Sequence, residues 1–523
     1  MSNGLLLWAD DEIDLLKAHV LFLEKKGYDI VTVTNGTDAI DQCRQRAFDL
    51  VLLDEMMPGL SGLETLQAIK TVSPSVPVVM VTKSEEENIM DQAIGAKIAD
   101  YLIKPVNPNQ ILLTLKKNIH RKEIVSDAAQ TGYQKSFAAL SMQIDSCKSA
   151  KDFMDVYRKL VHWEIELEST DSSMREMLAA QKEEADAAFA RLVRRDYLKW
   201  IEALDPTSPH YPERMLMSPG VFKSKVFPLL DARKKVFLIV IDNFRYDQWK
   251  TIERDIARDF DIDDDLYVSI LPTVTQYARN ALFSGLMPER IAEMYPELWV
   301  DEDDPTGKNL NESPLIGAQI ERFRRHDTFA YTKINSTADS DRMMKELNNN
   351  MSKDLNVIVF NFIDMLSHAR TDSKMARELA SDEAAYRSIT LSWFRHSVIA
   401  DLFNALAETD RMVVVTTDHG SIRTDKPIKI IGDKNTNTNL RYKIGKNLSC
   451  DSKDIFVIRN PKSSQLPAPN LSSTYVFATG NTFFAYPNNY NYYVSYFKDT
   501  FQHGGVSLEE MMIPIITLTP KKR

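Results

Sequence analysis

Cysteine is scarce: Cys43, Cys147 and Cys450 are the only three in 523 residues, far apart and with no CxxC pair. That excludes a disulfide framework and a cysteine-based zinc finger. Glycine (17) and proline (22) are too few for a collagen-like or linker-rich chain. No run of 18 apolar residues occurs, so no membrane insertion is expected. The opening MSNGLLLWADDE has no basic segment before its apolar stretch, which ends in acids. It does not read as a signal peptide, and a cytoplasmic location is the expectation. Positive charge is also short. Lys and Arg total 64 against 74 Asp and Glu, a formal net charge of −10. A general duplex-binding role usually leaves a basic footprint, so no sequence-specific DNA binding is expected.

What remains is ordinary globular composition, 44% apolar and 26% charged, in a chain long enough for about three domains. The texture changes twice. Residues 1–120 alternate short apolar runs (4–9, 29–33, 49–54, 76–82 and 100–104) with segments of helical period. That pattern predicts a doubly wound parallel sheet with helices on both faces. Residues 121–205 are rich in Ala, Glu, Lys, Arg, Met and Leu, with one glycine and no proline, and predict two or three long amphipathic helices forming a bundle. Four prolines in 205–219 mark a boundary. Residues 206–523 then carry near-continuous apolar strands at 234–242, 355–362 and 411–418, as in a sheet buried on both faces, with a helical stretch at 383–408. The stretches 297–315 and 420–475 read as polar, loop-like insertions, and the aromatic run 486–497 reads as a β-hairpin turning at Asn-Asn.

Two constellations carry chemistry. In the first region Asp10 and Asp11 follow one strand, Asp54 ends another, and Thr82 and Lys104 each end a further one. Carboxyl ends of parallel strands converge on one edge. Three carboxylates there repel one another and favour a hard divalent cation such as Mg²⁺. A carboxylate beside Mg²⁺ and a lysine can attack a phosphoryl group. In the last region Asp242 ends a strand, Asp364 and His368 are spaced by four, Asp418 and His419 end another strand, and His503 lies in FQHGG. Carboxylates mixed with imidazoles suit Zn²⁺ or Mn²⁺ better than Mg²⁺.

On these residues the first region resembles a response-regulator receiver domain, a flavodoxin-like fold. The resemblance implies Asp54 as phosphoacceptor and Asp10 and Asp11 as metal-side acids. It further implies the Met56 carbonyl as a third metal ligand, Thr82 and Tyr101 as a switch pair, and Lys104 as the phosphate-sensing lysine before a cis proline, Pro105. The last region resembles the alkaline-phosphatase superfamily. It implies two zinc or manganese ions, one held by Asp242, Asp418, His419 and the nucleophile, the other by Asp364, His368 and His503. The segment LPTVTQYARNALFSGLMPE (271–289) resembles the nucleophile segment of nucleotide pyrophosphatase/phosphodiesterases, which implies Thr275 as nucleophile with Thr273 as the alternative. An asparagine implied three residues after it is Ala278 here; Arg279, Asn280 and Arg245 are the candidates for a phosphate contact.

The whole layout resembles PorX-type response regulators with a PglZ-type output domain, a Bacteroidetes family tied to regulation of type IX secretion. The resemblance implies a sensor histidine kinase as partner, a phosphorylation-promoted homodimer, and a phosphatase or phosphodiesterase output acting on nucleotide or oligonucleotide phosphoesters. The competing expectation is a non-catalytic scaffold whose metal-stabilised output domain binds a sigma factor or a secretion-system component.

Overall fold

The computed structural model describes residues 3–521 apart from 75, 83–97, 120, 169, 171, 301–308, 374–376, 379, 381, 433–435, 451 and 471. The chain divides into two compact units, Met1–Gly132 and Tyr133–Arg523.

The first unit is built on a five-stranded parallel sheet of β1 (Leu5–Ala9), β2 (Asp29–Val33), β3 (Leu50–Asp54), β4 (Val78–Thr82) and β5 (Asp100–Ile103), in the order β2-β1-β3-β4-β5. Its helices include Gly36–Gln45, Gly62–Val72 and Pro108–Ile119. Successive strand side chains point to opposite faces, which is why β1 and β3 have no polar alternation. Leu7 and Leu53 join a core with Leu66 on one face; Trp8 and Leu52 join one with Ile111 on the other. The order places the carboxyl ends of β1, β3 and β4 side by side.

The second unit opens with the helical segment. The helices Ala150–Glu166 and Ser172–Glu202 come after the end of Arg121–Ser146, and a Ser149–Asp152 capping box starts the middle one. Directed bonds join these helices to the remainder of the second unit. The Leu271 N–H donates to Tyr197 Oη (2.8 Å), the Leu508 N–H to Asp186 (2.8 Å), and Arg194 donates to the carbonyls of Lys453 (2.6 Å) and Ile455 (2.9 Å).

The strands of this unit are β6 (Val236–Ile241), β7 (Phe260–Val268), β8 (Phe329–Ile334), β9 (Leu355–Phe360), β10 (Met412–Thr416), β11 (Ile422–Thr424), β12 (Lys426–Lys429), β13 (Tyr442–Gly445), β14 (Ile455–Ile458), β15 (Thr474–Ala478), β16 (Thr482–Ala485), β17 (Thr500–Gln502) and β18 (Met512–Pro520). Six of them form a mixed sheet in the order β7-β18-β10-β6-β9-β8. β10, β6, β9 and β8 run parallel, and β18 inserts antiparallel between β10 and β7. All six residues of β6 are buried, as are all six of β9.

Two expectations are corrected here. The segment 420–475 is not simply loop: it holds β11 to β14 and the start of β15, parts of three small sheets. The aromatic run does not form a hairpin. Tyr490–Phe497 is a helix, because a helix lets Tyr492 stack on Tyr496 and Tyr493 on Phe497 at i,i+4. Helical pairing outweighs the β-propensity of the tyrosines. Among the described residues no helix is long and apolar enough to cross a membrane.

Candidate active site

In the first unit the predicted carboxylates meet. Oxygens of Asp10, Asp11 and Asp54 lie within 4.8 Å of one another. Asp10 and Asp54 are buried and Asp11 is exposed. Backbone N–H groups orient two of them: Glu12 donates to Asp10 (2.9 Å) and Glu55 to Asp54 (3.0 Å). Lys104 Nζ bridges Asp10 (2.9 Å) and Asp54 (3.0 Å). Burial pushes the Asp54 carboxyl above its ordinary value, more than the neighbouring Lys104 pulls it down. Burial works to lower the Lys104 ammonium, but its bonds to Asp10 and Asp54 prevail and raise it. The site therefore holds more negative charge than one ammonium balances, and its all-oxygen donor set fits a hard divalent cation. The Thr82 hydroxyl donates to the carboxylate of Glu55, next to Asp54. The Lys104–Pro105 bond is cis. The side chains of Met56 and Tyr101 are exposed.

In the second unit the edge formed by the carboxyl ends of β6, β9 and β10 gathers the other set. Asp242, Asp418 and His419 form one trio and Asp364, His368 and His503 a second, with ligand atoms in each trio within 4.8 Å. Asp364 and His368 share one face of the helix Phe362–Asp372, 3.5 Å apart. His503 Nε2 reaches Asp364 at 3.6 Å. The rings of His419 and His503 stack at 4.3 Å and join the two trios.

Thr275 opens the helix Thr275–Ser284. Its Oγ1 lies 3.2 Å from His419 Nε2 and 3.4 Å from Asp242 Oδ1. Thr273 is occupied elsewhere: its hydroxyl donates to the Gly505 carbonyl (3.0 Å) and accepts from the Gly504 N–H (3.0 Å). It anchors the loop that carries His503, where Gly504 has φ +122, a conformation open to glycine.

The buried His419 and the half-buried His503 are both set for metal binding. His419 Nδ1 faces the Gly420 carbonyl (3.1 Å) and His503 Nδ1 the Thr273 carbonyl (3.2 Å). A carbonyl only accepts, so each Nδ1 carries the proton and each Nε2 lone pair faces the trio. Burial, then the neighbouring His419, brings His503 down to about 3, so it is neutral at pH 7. Asn243 adds a buried Oδ1 with no hydrogen-bond partner, while its Nδ2 donates to Asp364 (3.2 Å). Mixed nitrogen and oxygen donors with an orphaned acceptor beside them fit zinc or manganese.

Sequence reasoning missed how Arg279 and Asn243 are used. The Arg279 guanidinium is fully buried and ion-pairs with Asp242, with Asp418 (3.0 Å) and with Glu312 (3.0 Å). It takes Oδ2 of Asp242 and leaves Oδ1 facing Thr275. Burial alone would raise Asp418, yet Arg279 outweighs it and holds that carboxyl below its usual value. Asn243 sits at φ 61, directly after Asp242; asparagine in I-D-N is the one signal that hinted at it. Arg245, another candidate for a phosphate contact, is held by other partners. It is buried, paired with Asp247 (2.8 Å) and Glu383 (2.5 Å), and lies over the rings of Tyr386 and Phe501.

With this geometry in place, comparison with known proteins adds the family. The model of the BREX system PglZ alkaline phosphatase-like domain matches residues 221–518, that of the PorX response regulator linker domain 123–201, and that of the response regulator receiver domain 6–116. The chain belongs to the PglZ alkaline phosphatase-like family, in the receiver, linker and phosphatase-like architecture of PorX-type response regulators.

The chain is 38% identical over 118 residues to the transcriptional regulatory protein CpxR homolog of Haemophilus influenzae, covering 22% of this chain and 50% of that protein. It is 36% identical over 112 residues to the transcriptional regulatory protein ZraR of Klebsiella oxytoca, covering 21% and 25%. It spans between a quarter and a half of the length of these curated relatives. A CheY-like receiver domain protein of Methanospirillum hungatei JF-1 is 25% identical, with a TM-score of 0.22, covering 23% of this chain and 95% of that one.

Proposed function

We propose that this chain is a two-component response regulator, phosphorylated on Asp54, whose output domain hydrolyses phosphoesters of nucleotides or short oligonucleotides with Thr275 as nucleophile. The observation that carries the reading is Thr275 Oγ1 at 3.2 Å from His419 and 3.4 Å from Asp242, at a sheet edge with a second donor trio. Asp242, Asp418 and His419 would hold one divalent ion with Thr275, and Asp364, His368 and His503 the other. Such a pair supplies a lowered hydroxyl pKa and charge stabilisation of the attacking and leaving oxygens. The protein's own groups do the rest. Thr275 Oγ1 gives up its proton to solvent and forms the bond to phosphorus, the P–O ester bond breaks with its electron pair on the departing oxygen, which takes a proton from solvent, and water then cleaves the phosphothreonine P–O bond and restores the hydroxyl. The N-terminus of the helix Thr275–Ser284 favours the anionic phosphoryl group. In the receiver, Asp10, Asp11 and Asp54 with the Met56 carbonyl would hold Mg²⁺, Lys104 and Thr82 would receive the phosphoryl oxygens, and Thr82 and Tyr101 would switch.

Phosphorylation would promote a homodimer and act in the control of type IX secretion, which the family architecture supports. The test is hydrolysis of bis-p-nitrophenyl phosphate and a short oligonucleotide by metal-quantified protein beside Thr275→Ala. One observation favours a second reading. The buried Arg279 guanidinium ion-pairs with both Asp242 and Asp418 and so ties the trio into the packed interior. On that reading the output domain is a scaffold that binds a sigma factor or a secretion component. Thr275→Ala would then be silent in signalling, while Asp242→Ala would disrupt the domain.

A further inference from the structure

The helix Tyr490–Phe497 has no buried residue, although five of its eight are aromatic. Tyr492 is 64% exposed and Tyr493 39%. Neither ring stands alone. Tyr492 stacks on Tyr496 with the planes 16° apart, and Tyr493 on Phe497 with the planes 9° apart. Each exposed ring is backed by a second one, which fixes its orientation and leaves an aromatic face to solvent.

This part of the chain is basic. Residues 426–498 carry ten Lys and Arg against three Asp and no Glu, in a chain whose formal net charge is −10. Lys429 Nζ stands 4.9 Å from the centre of the Tyr490 ring, and the Arg377 guanidinium 5.5 Å from that of Tyr496. Lys498 follows the helix directly, and both lysines are exposed.

Two links tie the helix to the second donor trio. Arg377 also donates to the Thr371 carbonyl (2.8 Å), one turn beyond His368 on the same helix. His368 is the exposed member of that trio. The chain then runs from Phe497 into β17, whose Gln502 donates to the Thr371 hydroxyl (3.3 Å) and is followed by His503. Phe497 lies six residues before His503, so the chain between them spans at most about 21 Å. A strand rising about 3.4 Å per nucleotide covers that distance with about six.

We infer that the helix Tyr490–Phe497 is a base-stacking subsite for a single-stranded oligonucleotide, with bases on Tyr492 and Tyr493 and backbone phosphates beside Lys429, Lys498 and Arg377. The inference rests on the reading of the output domain as a nucleotide phosphoesterase, and it narrows the substrate to an oligomer rather than a mononucleotide ester. The excess of positive charge selects a polyanion, and the ring faces select one that carries bases. Aromatic faces accept any base while the cations track the backbone, so the subsite is tolerant of sequence.

The test is fluorescence anisotropy of 5′-fluorescein hexathymidylate on the full chain carrying Thr275→Ala, which keeps the probe whole, beside an abasic hexamer. The hexathymidylate is expected to bind, and the abasic strand to bind at least ~10-fold more weakly. Tyr492→Leu with Tyr493→Leu should weaken the hexathymidylate ~10-fold or more, while Tyr492→Phe with Tyr493→Phe keeps the affinity. Lys429→Ala should reduce the salt slope of log Kd by ~0.7. The leucine pair also removes the stacking within the helix, so the abasic strand gives the independent reading on the unaltered surface. Turnover of bis-p-nitrophenyl phosphate by the chain with Thr275 intact reports the hydrolase reading separately. Hexamer binding without that turnover would refute the hydrolase reading and leave the subsite standing. No anisotropy change up to about 100 μM protein, equal binding of the abasic strand, or binding untouched by the leucine pair would overturn the subsite.

Discussion

Arg279→Gln separates the cost of the site's own charges from the contribution of a metal. The guanidinium is fully buried and faces three carboxylates, Asp242, Asp418 and Glu312. Removing one partner of a buried ion pair costs about 3–5 kcal/mol, because the remaining charge is stranded. For the second unit, Tyr133–Arg523, the unfolding entropy is roughly 0.8 kcal/mol per kelvin at ordinary per-residue values. The metal-free variant should therefore melt roughly 4–6 °C lower. With zinc bound, Asp242 and Asp418 regain a cation. Glu312 keeps Lys333 (2.8 Å) and Tyr331 (2.5 Å). The loss should shrink to about 1 °C. Scanning calorimetry of chelator-treated and zinc-reloaded protein reads both values. An equal drop in the two states, or none in the metal-free state, would refute the reasoning that the arginine and a cation share the same carboxylates.

Three further outcomes are expected. Thr273→Val removes the hydroxyl that holds Gly504 and Gly505 and should cost ~2 kcal/mol, seen as a lower melting temperature with hydrolysis retained. Lys443 is buried, its Nζ donates to the Asn437 carbonyl (2.8 Å), and burial lowers it to about 7 from 10.5. Between about pH 7 and 10.5 the unfolded chain holds this proton and the folded one does not, so stability rises with pH across that window. Lys443→Met should stabilise by ~1–4 kcal/mol at pH 7 and below, with the gain fading toward pH 10.5 in denaturant titrations. Asp54→Asn should abolish labelling by acetyl phosphate, read by intact mass, while Thr275→Ala leaves it intact.

Much of both sites was legible because parallel strands bring their carboxyl ends together. Asp10, Asp54 and Lys104 in one sheet, and Asp242, Asp364 and Asp418 in the other, needed only strand recognition to be placed at an edge. The histidine at i+4 from Asp364 followed from helical period. Charge pairing across the fold was not legible. Arg279 and Arg245 are both arginines near motif residues; one reaches the carboxylates and the other is drawn under Tyr386 and Phe501 by Asp247 and Glu383. No local pattern distinguishes them, because all of their partners except Asp247 lie far away in sequence. The helix Tyr490–Phe497 was hidden for another reason: its stacking pairs use residues whose intrinsic preference is for strands.

The central claim is that Thr275 is the nucleophile of a metal-dependent phosphoesterase. The direct measurement is turnover of bis-p-nitrophenyl phosphate by protein of known metal content, with Thr275→Ala alongside. The account predicts metal-dependent hydrolysis that falls at least ~10³-fold in the variant, with two metals per chain and the melting temperature unchanged. Two bound metals without turnover in the native protein, or turnover that survives Thr275→Ala, would contradict it.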